Sequence, residues 1–195
     1  MVDSLKEVAE QADEAIISMV RDYAQNVDVI FGEDGLLTAK TEGKTIIVMS
    51  TLDPETMNKL GKKVEEESNY KLISAAVSGG ASGAEPGSSQ VAKLVNNLIL
   101  GININAVAEG LKLARYYQLP EEEVINLLKV STGDSWVARN WSDVSQWTAE
   151  TALSVLLKDL IASYNQGIKH NIPMPFNALS STQLFDSMGK EKPKE

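Results

Sequence analysis

The chain has 195 residues, 43% of them hydrophobic, which is enough for one domain or two small ones with a buried core. Its formal net charge of -9 argues against general nucleic-acid binding, which requires a basic face. Cysteine is absent, which excludes disulfides and thiolate metal sites, and the single histidine, His170, has no ligand set beside it, so we expect no metal site.

The first half of the chain alternates short β-branched runs with amphipathic segments. Ser4 is expected to cap a first helix, with Glu7 closing the capping box. Asp53 followed by Pro54 marks another helix start, because proline suits the first helical position. The predicted strands are 15–20, 45–49 and 72–77, the predicted helices between them are 22–31 and 53–67, and 32–35 is a predicted turn. Strands separated by helices in this way are typical of parallel βαβ units.

The second half shows no strand pattern from residue 88 onward. The predicted helices are 90–117, 120–130, 148–170 and a short one near 181–188, with Pro173 and Pro175 ending the third. The joint between the halves, 79–89, is rich in glycine, serine and alanine. We therefore expect an α/β domain over 1–85, an all-α domain over 86–189 and a charged, disordered tail over 190–195.

The long helix predicted over 90–117 is apolar on two sides at 100° per residue, one of them marked by Val91 and Val95. Lys93 and Asn97 lie one turn apart on the other side. A helix of this kind packs between other elements, so we expect partly apolar surroundings that lower the pKa of Lys93 toward the range of general acid–base catalysis. The alternative is a lysine that snorkels along a domain edge, and spacing alone favours that alternative.

Other polar residues allow both a functional and a purely structural interpretation. Ser78-Gly79-Gly80 follows a predicted strand and offers a hydroxyl and backbone N–H groups that can approach a ligand closely, although such a segment is most often only a turn. Lys158 stands off the apolar stripe of its helix, where a solvated charge is the default. Asparagine is a mediocre helix former, so some carboxamides of the long helix are expected to be hydrogen-bonded inside the protein: Asn96, Asn97, Asn103 and Asn105.

Five short segments carry a resemblance to a known family. They are GEDGL at 32–36, MST at 49–51 with DPET at 53–56, VSGG at 77–80, KLVNN at 93–97 and KDL at 158–160. In this order they resemble the β-hydroxyacid dehydrogenases, the group containing 3-hydroxyisobutyrate dehydrogenase and 2-hydroxy-3-oxopropionate (tartronate semialdehyde) reductase. The resemblance spans nearly the whole chain, and five ordered matches are far more specific than any one of them.

The resemblance implies an NAD- or NADP-dependent oxidoreductase that acts on short 3-hydroxy acids, such as 3-hydroxyisobutyrate or the tartronate semialdehyde and glycerate pair. Lys93 would exchange a proton with the substrate hydroxyl, and Asn97 would orient the substrate. Ser78, Gly79 and Gly80 would hold the substrate carboxylate. The family role of Lys93 agrees with the angular argument from the long helix.

On the cofactor side the resemblance implies contacts from Thr51 and Lys158 with NAD or NADP. The family's G-x-G-x-x-G fingerprint does not occur in this sequence, and 86–90 runs directly into the long helix where the family has further strands. We therefore expect a truncated Rossmann-like parallel sheet of about three strands, followed by a helical domain with a long central helix. Cofactor binding is expected to be weakened, because the main N–H donors to the pyrophosphate are missing.

Three functions remain open from the sequence. The chain is a hydroxyacid dehydrogenase, a catalytically impaired relative that acts as a helical interaction module, or a small-carboxylate binder without redox chemistry. A small hydroxy acid and further copies of the chain, joined through the helical domain, are the expected partners. The apolar runs are strand-sized, as at 46–49, and none resembles a signal peptide or a membrane span, which favours a cytoplasmic protein with no membrane partner.

Overall fold

A computed structural model describes residues 2–39, 41, 43–76 and 87–193. The chain divides into two compact units, Met1–Lys93 and Leu94–Glu195, and the boundary falls inside one continuous helix. The elements of the first unit are α1 (Leu5–Gln11), β1 (Ala15–Ser18), α2 (Tyr23–Phe31), a 3-10 turn (Leu36–Ala39), β2 (Thr45–Val48), α3 (Pro54–Glu67) and β3 (Lys71–Ser74). The remaining elements are α4 (Ser88–Tyr116), α5 (Glu121–Leu128), α6 (Trp136–Arg139), α7 (Trp141–Val144), a π-helical turn (Ala149–Leu153), α8 (Ser154–Lys169) and α9 (Pro175–Met188).

The first unit contains the expected parallel sheet of three strands, in the order β1-β2-β3. Alternate residues point to opposite faces, so one row across the sheet, Ile16, Ile46 and Leu72, is buried with residues of α1, α2 and α3 in a single core. The next row places Ile17 opposite Ile47 and Ile73 on the other face, and there Ile17 is 64% exposed. The described helices of this unit therefore cover one face of the sheet.

Polar side chains begin the helices of the first unit where the sequence predicted them. The Asp53 carboxylate accepts from the backbone N–H of Thr56, and Pro54 occupies the first turn of α3. The Ser4 hydroxyl likewise accepts from the N–H of Glu7. The predicted capping box at α1 is not closed, because the Glu7 carboxylate accepts from the N–H of Asp3 instead of the N–H of Ser4.

The second unit is helical, and its core forms where α4, α8 and α9 bury their apolar residues. Ile104 and Leu111 of α4 lie in the same core as Leu160 of α8 and Phe185 of α9. The prediction that α4 is packed on both apolar sides was wrong for the side marked by Val95, which is 52% exposed. Leu98 and Ile102, further along the same side, are half-buried.

Three features of the second half of the chain differ from the sequence prediction. Pro175 begins α9 instead of only ending the preceding helix, because its fixed φ suits a first helical position, and α9 is therefore longer than predicted. The helix predicted over 148–170 is divided into a π-helical turn and α8. The short helices α6 and α7, which carry Trp136 and Trp141, were not predicted.

One segment of α4 departs from the expectation that all apolar runs are strand-sized. Ser89–Tyr116 has 28 residues and contains an 18-residue stretch with a mean hydropathy of 1.4, so it is long and apolar enough to cross a membrane by length and composition. Asparagines and glycines interrupt the apolar residues of this helix, so the sequence shows only short apolar runs. In the structure Ile104 and Leu111 are buried in the helical core, and the core helix of a soluble protein passes the same test.

Two glycines of α4 provide a matched test of this helix packing. A Cβ at Gly101 would lie 2.8 Å from Leu160 Cδ2, whereas a Cβ at Gly110 would meet no atom within 4 Å. Gly110→Ala should therefore raise the free energy of unfolding by about 1 kcal/mol through helix propensity. Gly101→Ala should lower it by about 1 kcal/mol, because overpacking against a fully buried leucine outweighs the propensity gain. Urea denaturation measures both, and equal stabilisation by the two substitutions would contradict the close approach of α4 to Leu160.

Candidate active site

The loop after β2, which carries Thr51, is held by the side chain of Gln90 from the first turn of α4. The N–H of Leu52 donates to Gln90 Oε1 at 2.9 Å, and Gln90 Nε2 donates to the carbonyl of Ser50 at 2.8 Å. Gln90 Nε2 also lies 3.1 Å from the Ser74 hydroxyl at the end of β3. Thr51 is therefore flanked on both sides by backbone groups that bind one fully buried carboxamide.

A second buried carboxamide, that of Asn26 in α2, extends these contacts to β1. Asn26 Nδ2 donates to the Ser50 hydroxyl at 3.0 Å, and the Ser18 hydroxyl donates to Asn26 Oδ1 at 3.0 Å. Ser50 in turn donates to the carbonyl of Val20 at 2.6 Å. The carboxyl ends of all three strands are thus joined by side-chain hydrogen bonds at the edge where open parallel sheets bind their ligands.

On α4, Asn97 follows Lys93 by one helical turn, as the sequence predicted. Lys93 is half-buried. Asn97 Nδ2 donates to Asp159 Oδ2 of α8 at 2.6 Å, and the Asp159 carboxylate is fully buried. Lys158 is half-exposed, and its ammonium lies 3.5 Å from Asp159 Oδ1. The structure therefore brings Asn97 and Lys158 together around a carboxylate.

The chemistry of Asp159 fixes the orientation of the Asn97 side chain. An ionised carboxylate can only accept hydrogen bonds, so Asn97 must present its Nδ2 to it. Asn97 Oδ1 then accepts from Nδ2 of the exposed Asn96 at 3.0 Å. What Asn97 can offer a ligand in this arrangement is a carbonyl oxygen.

Asn105 is also hydrogen-bonded inside the protein, through the carbonyl of Gly101 at 2.9 Å, as expected for an asparagine-rich helix.

The remaining site residues from the sequence prediction are Ser78, Gly79 and Gly80, which lie outside the described residues. The prediction missed Gln90, whose partners lie about forty residues away in sequence, and it quoted Asp159 only as part of a motif. The local signal that could have found Gln90 is its position one helical turn before Lys93. Within the described ranges no group of three or more histidine, aspartate or glutamate side chains could hold a metal ion.

Two family models match the chain and together cover its length. The model for the NAD-binding domain of 6-phosphogluconate dehydrogenase matches residues 1–92, and the one for NAD-binding of NADP-dependent 3-hydroxyisobutyrate dehydrogenase matches 87–195. The chain belongs to the β-hydroxyacid dehydrogenase family, whose members are NAD(P)-dependent oxidoreductases. The resemblance expected from the five sequence segments is therefore confirmed.

Curated relatives are distant and longer than this chain. L-threonate dehydrogenase of Cupriavidus necator is 23% identical, over 88% of this chain and 70% of its own length. 2-(Hydroxymethyl)glutarate dehydrogenase of Eubacterium barkeri is 26% identical, over 81% of this chain and 64% of its own. Mitochondrial 3-hydroxyisobutyrate dehydrogenase of Rattus norvegicus is 26% identical, over 74% and 52% respectively. The chain thus spans between about half and seven tenths of the length of these relatives.

Solved structures show the same fold. The crystal structure of 3-hydroxyisobutyrate dehydrogenase from Salmonella typhimurium aligns with a TM-score of 0.77 at 21% identity, covering 94% of this chain and 76% of that one. A structure of Psf3 in complex with NADP+ and 2-OPP aligns with a TM-score of 0.76 at 20% identity, covering 94% and 77%. The expected architecture, a three-stranded parallel sheet followed by a helical part with a long helix, is confirmed.

The Asn97–Asp159 hydrogen bond gives a direct test of the buried carboxylate. Asn97→Leu should lower the free energy of unfolding by about 3 kcal/mol, because it leaves a buried charge without its hydrogen-bond donor. The double variant Asn97→Leu with Asp159→Leu should recover most of that loss, because apolar groups of similar size replace both partners. Asn96→Leu is the matched control, and its effect should stay within about 0.5 kcal/mol because Asn96 is exposed. A double variant no more stable than Asn97→Leu would contradict the pairing.

Proposed function

We propose that this chain is an oxidoreductase that transfers hydride between NAD or NADP and a short 3-hydroxy acid. The observation that supports this proposal is the pair Lys93 and Asn97, which lie one turn apart on α4 in a chain that belongs to the β-hydroxyacid dehydrogenase family. The relatives act on hydroxy acids by their names, which supports this substrate class without selecting one member.

Lys93 is our candidate for the proton-transfer group. In the oxidation direction its neutral amine would take the proton of the substrate hydroxyl, and in reduction its ammonium would return a proton to the carbonyl oxygen. A bound NAD or NADP would supply the acceptor for the hydride from the carbon that bears the hydroxyl, and Thr51 and Lys158 are our candidates for holding it. A half-buried lysine suits this role, because its side chain is still accessible to a ligand.

The remaining candidates divide between substrate and cofactor. Ser78, Gly79 and Gly80, outside the described residues, are our candidates for holding the substrate carboxylate, and Asn97 would orient the substrate. For the cofactor, our candidates are Thr51, whose hydroxyl lies at the carboxyl end of β2, and Lys158, whose ammonium is half-exposed. A hydroxyl and an ammonium are each able to bind a phosphate group. These residues would bind and orient the dinucleotide.

We also propose a cytoplasmic homo-oligomer that assembles through the helical part. Large apolar side chains on the surface of the helices support a protein partner: Val95, Val155, Ile161, Phe176 and Leu179. Bacterial relatives such as L-threonate dehydrogenase support the cytoplasmic assignment, and the mitochondrial relatives mark the alternative compartment.

Cofactor binding is the first test of the proposed function. NADH or NADPH fluorescence should change on titration with the protein, with a dissociation constant below about 1 mM. Thr51→Val should weaken this binding, because it removes the hydroxyl while keeping the shape of the side chain. Absence of binding for both cofactors at that concentration would contradict the dehydrogenase assignment.

The role of Lys93 is tested by substitution. Lys93→Ala should lower kcat for 3-hydroxy acid oxidation at least about a hundredfold, which is the usual contribution of a general acid or base. Lys112→Ala is the matched control, because Lys112 lies exposed on the same helix and donates to the carbonyl of Asp186 at 3.4 Å. Its rate should be unchanged. Equal rates for the two variants would remove Lys93 from the mechanism.

A further inference from the structure

Gln90 is a fully buried polar residue that the proposed reaction does not use. It lies in the first turn of α4, three residues before Lys93, and nearly all of its hydrogen-bonding capacity is satisfied by the loop after β2 and by β3. Burying a carboxamide is unfavourable unless it is hydrogen-bonded in this way. Gln90 therefore holds the groups to which it is hydrogen-bonded, in addition to packing in the interior.

The contacts of Gln90 act on the backbone of one particular loop. They bind the carbonyl of Ser50 and the N–H of Leu52, so the peptide groups on either side of Thr51 are both fixed. Within the described part of the chain the Thr51 hydroxyl makes no hydrogen bond, and the side chain is half-buried. The backbone of this residue is thus held while its hydroxyl is left available for a ligand.

The loop is also held from the side of β1. The Ser50 hydroxyl accepts from Asn26 and donates to the carbonyl of Val20, so a shift of the loop would break buried hydrogen bonds in two directions. A buried polar group that loses its partner costs about 1–3 kcal/mol, so this loop has one strongly preferred position. Such a preorganised loop binds a ligand without first having to be ordered.

We propose that Gln90 is a positioning residue for the nicotinamide cofactor, fixing Thr51 at the carboxyl edge of the sheet. This inference rests on the proposed function, in which Thr51 contacts the cofactor. Because Gln90 lies on the helix that carries Lys93, it ties the cofactor loop to the start of that helix. It touches neither substrate nor cofactor, so its removal weakens cofactor binding and leaves proton transfer intact.

The kinetic test separates this role from a general loss of structure. Gln90→Glu keeps the acceptor for the N–H of Leu52 but turns a carboxylate oxygen toward the carbonyl of Ser50. The KM for NAD(P) should rise at least about tenfold, the equivalent of one lost hydrogen bond, while kcat at saturating cofactor stays within about threefold. Gln146→Glu, on an exposed glutamine, is the matched control and should change neither constant. A fall in kcat without a rise in KM would overturn the proposal.

Ser74→Ala is a milder second variant in case Gln90→Glu does not fold. It removes one of the three partners of the Gln90 carboxamide, and it should raise the KM for the cofactor about threefold with kcat unchanged. An unchanged KM in this folded variant would overturn the proposal.

Amide hydrogen exchange provides a readout that does not depend on turnover. The Leu52 N–H should exchange at least about tenfold faster in Ser74→Ala or Gln90→Glu than in the wild type, while the amides of β2 exchange at unchanged rates. If the wild type binds no cofactor, the proposed function fails. The Leu52 exchange rate then still tests whether Gln90 fixes the loop that carries Thr51. An unchanged Leu52 exchange rate would overturn the positioning role.

Discussion

The hydrogen bonds made by Gln90 are the constraint on which the candidate cofactor site depends. Parallel strands end at one edge of a sheet, and the loops that leave this edge have no ladder partners to fix them. In this chain one buried carboxamide supplies those partners to the loop after β2 and to the end of β3. The position of Thr51 follows from that arrangement, and so does the start of α4.

Helix α4 changes character along its length, and each part serves a different purpose. Its first turns carry the polar residues Gln90, Lys93 and Asn97, whereas its middle carries Ile104 and Leu111 in the helical core. Apolar burial holds the middle of the helix, because each buried side chain of this size contributes about 1.5–3 kcal/mol. That anchoring allows the first turns to be polar, with Asn97 bound to the buried carboxylate of Asp159.

Local signals in the sequence predicted much of the fold. The alternation of β-branched residues located all three strands, and the Asp53-Pro54 pair located the start of α3, because capping and backbone preference act within a few residues. Lys93 and Asn97 lie one turn apart on α4, as predicted, because helix geometry also acts within a few residues. Pro175 was misinterpreted because proline both ends one helix and begins the next, and only tertiary packing decides which effect matters.

The buried polar contacts could not be predicted, because their partners are distant in sequence. Asn97 and Asp159 are separated by 62 positions, and Gln90 and Ser50 by 40. No local propensity encodes such a pair. The sequence showed only that α4 is unusually rich in carboxamides, which indicated internal hydrogen bonds without naming their partners.

We propose that Lys93 and Thr51 serve one reaction, proton transfer and hydride transfer on a short hydroxy acid. A crystal structure of the protein soaked with NADP+ and 3-hydroxyisobutyrate tests this claim most directly. We expect the dinucleotide against the Thr51 loop and the substrate hydroxyl within hydrogen-bonding distance of Lys93 Nζ. Density for the dinucleotide elsewhere on the protein, or a substrate hydroxyl remote from that amine, would contradict it.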